Sequence, residues 1–238
     1  MRTLAPPPAS VAWGCREDPA PLVDDRCRLF ADDYDPLPRA KWKPASLDHL
    51  IWHIFDQADG MCTSNAGTQA VMGCRELGGQ ERRVLAPSTL YGQHSRWGTG
   101  STLSENVDAL LKTGVCSAGF SGGEQPWPLS GLPKGWQQDA ARHKILPGHV
   151  WNLAGQFDLV ATALQMSFFG WIGLRWPGGG GHSVLCSSLL RQGNVWIVRG
   201  PNSWGPTWNG DGFFELTERQ CSSMGSHGAF AVRAVISS

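Results

Sequence analysis

The chain has 238 residues, enough for one large domain or two small lobes around a hydrophobic core. Hydrophobic residues make up 41% and charged residues 17%, a globular rather than a disordered balance. Twenty basic residues against twenty acidic ones give no net charge, which argues against a nucleic-acid partner held by general electrostatics, and no apolar run reaches the roughly 20 residues of a membrane span.

Residues 1–40 are rich in Pro, Asp and Arg, lack sustained periodicity, and read as an irregular extension able to wrap the body. They open Met1-Arg-Thr-Leu-Ala-Pro-Pro-Pro, with no apolar stretch of the length a secretory signal needs. The expectation is therefore a cytoplasmic protein, or one packaged in a larger particle such as a virion. Reduced thiols are then the default for Cys15, Cys27, Cys62, Cys74, Cys116, Cys186 and Cys221. No two of them are spaced Cys-x-x-Cys, so no zinc ribbon is expected. Leu47–Phe55 is apolar with interspersed polar positions and reads as a short helix or strand.

From Cys62, the residues Cys62, Ala66, Ala70, Cys74 and Leu77 recur at helical spacing, and Gly78-Gly79 stops the run. A second helix is predicted over 103–113, opened by a capping box of Thr102 and Glu105 and closed at Gly114. A third is predicted over 156–166. The character then changes. Gly170–Arg175, His182–Leu190, Val195–Arg199, Gly212–Leu216 and Gly228–Ile236 are short, apolar and bounded by Gly, Pro or Asn, and read as strands. Helices in front and strands behind imply an α+β fold rather than a βαβ repeat.

Three segments carry chemistry: Phe55–Ala66, Gly179–Leu185 and Gly200–Phe214. A thiol is a useful nucleophile only as thiolate. Cys62 sits at a predicted helix N-terminus, where the macrodipole favours an anion, and a histidine partner would lower its pKa further. That histidine needs a third group to hold it, and a developing oxyanion needs donors such as a glutamine side chain and the Cys62 backbone N–H.

These segments resemble the papain-like cysteine peptidases. Asp56-Gln57 and Gly60-Met61-Cys62 are similar to the family's oxyanion-hole glutamine and nucleophile segment, and Cys-Thr-Ser-Asn-Ala is closest to its bacterial and phage-type branch. Gly181-His182-Ser183-Val184 resembles the histidine block. Asn202-Ser203-Trp204-Gly205, with Trp208 and Gly210-Asp-Gly212-Phe213, resembles the asparagine block. Ala86–Tyr91 and Gly100–Cys116 resemble segments that follow in the same order, so the similarity covers about residues 36–238.

The resemblance implies a two-lobe fold. A helical left lobe (36–150) would carry the nucleophile and a β-barrel-like right lobe (151–238) the histidine and asparagine, with the active site in the cleft between them and residues 1–35 as an extension. It implies Cys62 as nucleophile, His182 as general base and acid, Asn202 as its orienter and Gln57 as oxyanion donor, with Trp204 and Gly181 in supporting contacts. The implied activity is hydrolysis of a peptide or protein substrate through a thioester, with no metal or organic cofactor, no nucleic acid and no membrane.

The chain also departs from that pattern. Gln57 lies five residues before Cys62 where the family usually has six, and Thr63 replaces a tryptophan. His182 follows Cys62 by 120 residues, somewhat short of the roughly 130–150 of papain and cathepsins. Residues 59–61 are Asp-Gly-Met, so the family's disulfide there is not expected, and residues 1–35 are too short for a recognisable inhibitory propeptide.

Two other readings stand beside the peptidase. One is a papain-fold module without catalysis, acting as a binding or structural component. The other is a cell-wall peptide hydrolase of phage or bacterial type. His49 and His53 lack the Glu of H-E-x-x-H and read as packing residues. Gly178–Gly181 lacks G-x-G-x-x-G and a P-loop lysine, so it reads as a flexible approach to His182. Trp127, Trp136, Trp171, Trp176 and Trp208 fit either cleft walls or core.

Overall fold

The computed structural model describes residues 4–236. In chain order the elements are β1 (Arg28–Leu29), α1 (Phe30–Asp33), β2 (Ala45–Ser46), α2 (Cys62–Leu77), α3 (Pro87–Tyr91), α4 (Leu103–Lys112), α5 (Ala118–Ser121) and α6 (Trp136–Ala140). There follow β3 (Val150–Asn152), α7 (Phe157–Gln165), β4 (Phe169–Arg175), β5 (Gly181–Cys186), β6 (Ser188–Gln192), β7 (Val195–Pro201), β8 (Phe213–Thr217), α8 (Met224–His227) and β9 (Ala229–Val232). Leu47–Phe55, expected as helix or strand, forms a 3-10 turn at Asp48–Leu50 and is otherwise irregular.

The strands form two open sheets, ordered β1-β3-β9-β4-β5 and β2-β6-β7-β8, rather than a closed barrel. The segment expected as one strand over His182–Leu190 is cut at Ser187, and its halves lie in different sheets. Gly200 permits the crossing: a Cβ there would stand 1.8 Å from the Leu185 carbonyl oxygen, so any other residue would hold β7 away.

Helix α2 runs through the middle. Its predicted apolar face is real, but every residue from Cys62 to Arg75 is buried, while Leu77 is 41% exposed. Gly67 and Gly73 let β4 pack directly on the helix. Cβ atoms at these positions would lie 2.5 Å from the Trp171 ring and 2.6 Å from the Phe169 ring. Strand alternation then divides the core. Phe169, Trp171, Phe230 and Val232 face α2 and α4, whereas Ile172, Leu174, Ala229 and Ala231 pack in the cluster that holds α7. Both faces are buried, which is why the sequence of β9 alternates only partly.

Helix α4 shows its capping box: the Glu105 N–H donates to Thr102 Oγ1 at 3.1 Å and the Thr102 N–H to Glu105 Oε2 at 2.8 Å. All seven cysteines are free and buried. No helix among the described residues is long and apolar enough to cross a membrane.

Candidate active site

Cys62 is the first residue of α2 and is fully buried. The loop before it is stitched to the loop after β7. The Gln57 N–H donates to the Ser203 carbonyl at 2.8 Å and the Gly205 N–H to the Phe55 carbonyl at 2.9 Å. These bonds tie the cysteine segment to the asparagine segment. His182 lies on β5 opposite Leu174 of β4. The backbone N–H groups of its neighbour Ser183 and of Gly14 in the N-terminal extension both favour the Cys62 thiolate.

The His182 ring bonds Asn202 Oδ1 through Nε2 at 2.7 Å. The amide oxygen can only accept, so Nε2 carries the proton, and Nδ1 is left unprotonated and without a hydrogen-bond partner. Trp204 stacks on the imidazole with centroids 4.6 Å apart and planes 25° apart, and Trp176 meets it edge-on at 5.0 Å. The Gln57 side chain is oriented by Ser203, whose hydroxyl donates to Oε1 at 2.5 Å, while Nε2 faces the cleft. The loop shortened by one residue therefore still delivers this amide to the site.

The extension does more than wrap the body: residues 12–16 run through the cleft. The Ala12 carbonyl accepts from Gln57 Nε2 at 3.0 Å. Ser101 N–H donates to the Gly14 carbonyl at 2.7 Å, Cys15 N–H to the Gly181 carbonyl at 3.1 Å, and Arg16 N–H to the Ser101 carbonyl at 3.0 Å. Glycines make the passage possible: Cβ atoms at Gly14 and Gly181 would lie 1.7 Å from the Gly60 oxygen and 1.9 Å from the Cys15 oxygen. Beyond the cleft, Asp18 Oδ2 accepts from the Ser104 N–H at 3.0 Å and hydroxyl at 2.7 Å, and Arg16 pairs with Glu105 at 2.6 Å. Sequence reading missed Trp13, Gly14, Cys15 and Asp18. Their one signal is an aromatic-glycine pair inside a polar, Pro-rich stretch.

Burial of the site sets the protonation states. Burial pushes the Cys62 thiol up, against the lowering effect of the Ser183 and Gly14 N–H groups. Burial likewise pulls His182 down to about 4, against the Asn202 hydrogen bond. Thiol and neutral imidazole are thus the forms favoured while the segment is in place. The helix terminus was expected to lower the thiol pKa, and in this state desolvation outweighs it.

The remaining tryptophans divide between core and site. Trp171 packs on α2, Trp176 and Trp208 surround Trp204, and Trp127 lies against Tyr91 and Trp97.

No protein-family model matches the sequence, and no curated protein does. Solved structures do match in three dimensions. Xylellain, a cysteine protease from Xylella fastidiosa, superposes with a TM-score of 0.73 at 19% identity, over 98% of this chain and 100% of its own. The chain has the papain-like cysteine protease fold. Digestive procathepsin L 3 from the Tenebrio molitor larval midgut matches at TM-score 0.71 and 14% identity, over 90% of this chain and 76% of its own. Procathepsin B S9 from Trypanosoma congolense matches at 0.60 and 15%, over 85% and 83%. In the papain-like frame, the motif order read from the sequence and the convergence of β5, the β7 end and the α2 terminus describe one cleft.

Proposed function

We propose that this chain is a papain-like cysteine peptidase held closed by its own residues 12–16. The observation that carries the reading is the His182–Asn202 bond of 2.7 Å. It leaves Nδ1 without a partner on the strand whose next backbone N–H, that of Ser183, favours the Cys62 thiolate. Once the segment withdraws, the Cys62 thiol gives its proton to His182 Nδ1 and the sulfur attacks the substrate carbonyl carbon. The carbonyl oxygen becomes an oxyanion held by Gln57 Nε2 and the Cys62 backbone N–H. As the carbon–nitrogen bond breaks, Nδ1–H returns the proton to the leaving amine, and a thioester remains. Water, deprotonated by the same nitrogen, attacks the thioester carbon; the carbon–sulfur bond breaks, the acid product leaves and the Cys62 sulfur takes the proton back from Nδ1. Asn202 keeps the ring in one tautomer, and Trp204 covers the His–Asn bond. No metal or organic cofactor takes part in these steps.

The closed state is in keeping with three of the matching structures, which are named procathepsins. The catalytically silent reading draws on one observation, the raised thiol and lowered imidazole. In the peptidase reading that burial belongs to the inserted segment and ends with it.

The test is alkylation by an epoxide thiol inhibitor from pH 4 to 9, read by intact mass. It compares wild type, Cys62→Ala, and an Arg16→Ala/Asp18→Ala variant that loosens the segment. The expected result is slow wild-type labelling, at least tenfold faster single labelling in the loosened variant well below pH 8, and loss of that adduct with Cys62→Ala. Labelling spread over several cysteines, or confined to pH above about 8.5 as for an ordinary thiol, would overturn it.

A further inference from the structure

The glycine run ahead of His182 has a structural role that the peptidase reading leaves unused. Gly179 and Gly180 lie under the Trp13 indole: a Cβ at Gly179 would stand 2.1 Å from Cζ2 and 2.2 Å from Cη2, and one at Gly180 2.7 Å from Cγ. The six-membered ring thus rests on Gly179 and the five-membered ring on Gly180. Any side chain at either position would displace it.

The glycine floor is fixed rather than loose. The Trp176 N–H donates to the Gly180 carbonyl at 2.9 Å, and the Gly179 N–H donates back to the Trp176 carbonyl at 2.9 Å. The walls are aromatic. Trp13 meets Trp204 edge-on at 5.8 Å and 81°, and His182 edge-on at 6.0 Å and 88°. These are favourable edge-to-face arrangements. Trp13 itself stays partly exposed, so the slot opens to solvent on one side. It borders the imidazole, which in the proposed reaction returns a proton to the leaving amine. That position places it on the amine side of the scissile bond.

From this geometry we propose that Gly179, Gly180 and Trp204 form a slot for an aromatic side chain, occupied by Trp13 in the closed chain and by an aromatic residue of the peptide substrate in the open one. The inference rests on the peptidase reading for its substrate, and on geometry alone for the slot. Withdrawal of Trp13 would expose glycine backbone and the Trp204 face to water. A flat ring is the group that covers both again, and a small side chain leaves most of that surface wet.

The experiment has two arms, both in the full-length Arg16→Ala/Asp18→Ala background. In the first, peptides varied on the amine side of the cleaved bond are compared by kcat/KM. Phe or Trp at one of those positions is expected to exceed Ala by about tenfold or more. Gly180→Val, verified as folded by its melting curve, is expected to bring that ratio close to one while Ala peptides are still cleaved. Gly179→Ala serves as the milder second variant. In the second arm Cys62→Ala is added, and calorimetry follows binding of a peptide copying residues 10–18 with serine in place of Cys15. Replacing its tryptophan by alanine is expected to weaken binding at least tenfold, and Gly180→Val to do the same.

Aromatic-dependent binding without hydrolysis or Cys62 activation keeps the slot and removes the peptidase reading. Hydrolysis without aromatic preference, equal binding of the two peptides, or binding of neither overturns the slot.

Discussion

His182 and Asn202 are joined through a single oxygen that also accepts the Ser203 N–H, at 2.7 Å from the ring nitrogen and 2.8 Å from the backbone. Two donors on Oδ1 lock the amide in one orientation, and that orientation decides which imidazole nitrogen is free. Asn202→Ala is expected to leave the fold intact and to lower kcat/KM of the loosened enzyme by about 10-fold to 100-fold, the scale of a misplaced catalytic group. Asn202→Gln, which keeps the amide but lengthens its arm, should recover part of that loss. Steady-state kinetics of the three proteins checks the order.

Closure of residues 12–16 depends on pH in a direction that follows from the two buried groups. His182 falls from 6.5 to about 4 in the closed state, so the open state binds more protons between those values, and closure weakens as pH falls through that window. Burial holds Cys62, and Cys15 of the segment itself, above the ordinary thiol range in the closed state, so closure weakens again once pH is high enough for the exposed thiols to ionise. Closure is therefore strongest just above about pH 6.5, before the exposed thiols ionise. Hydrogen exchange of the peptide covering residues 12–16, corrected for intrinsic rates, should be slowest in that range and faster at pH 5. A profile that stays flat from pH 5 to 7 would contradict the assignment.

The two anchors of the segment are unequal. Asp18 is 4% exposed and accepts two hydrogen bonds from Ser104, whereas Arg16 and Glu105 have side chains 48% and 35% exposed. An exposed ion pair contributes about 0.2–1 kcal/mol, and a buried N–H left without its acceptor costs about 1–3 kcal/mol. Asp18→Ala should therefore speed Cys62 labelling several-fold more than Arg16→Ala does. Single-variant alkylation rates at pH 7.5 measure the difference.

What the sequence made legible were features written in local pattern. The Thr102–Glu105 box, the stop at Gly78 and the order of the Cys62, His182 and Asn202 motifs all depend on neighbours within a few residues. The passage of residues 12–16 was not legible, because its bonds go to Ser101 and Gly181, far away in the chain, and run through backbone groups that carry no residue signature. The cut at Ser187 escaped for the same reason: β5 and β6 read as one apolar run, and the crossing depends on Gly200 meeting Leu185. The five-residue spacing of Gln57 told nothing of its reach, which the pairing of 55–57 with 203–205 decides.

Gly67 offers a test of the core that is independent of chemistry. A methyl group there would press on the buried Trp171 ring at 2.5 Å and 2.8 Å. Gly67→Ala gains helix propensity of roughly 1 kcal/mol but must move a buried indole, at a cost of about 1–3 kcal/mol. The net expectation is a melting temperature lower by a few degrees, read by calorimetry. An unchanged or raised value would mean that β4 yields more easily than this packing implies.

In the proposed reaction the Ser203 hydroxyl acts only through Gln57. The hydroxyl donates to Gln57 Oε1 at 2.5 Å, which turns Nε2 toward the cleft, where it now holds the Ala12 carbonyl at 3.0 Å. Removing the donor outright by Gln57→Ala should lower kcat of the loosened enzyme by about 10²–10³, as for other oxyanion donors, with little change in KM. Ser203→Ala should lower kcat by a smaller factor, because the amide is still present and keeps the Asp59 carbonyl as a partner at 3.1 Å. In Gln57→Ala, the second change Ser203→Ala should then cost almost nothing further, since the group it orients is gone. Additive losses in the double variant would show instead that the Ser203 hydroxyl acts by a route other than Gln57, since Ser203→Ala keeps the backbone N–H that bonds Asn202 Oδ1.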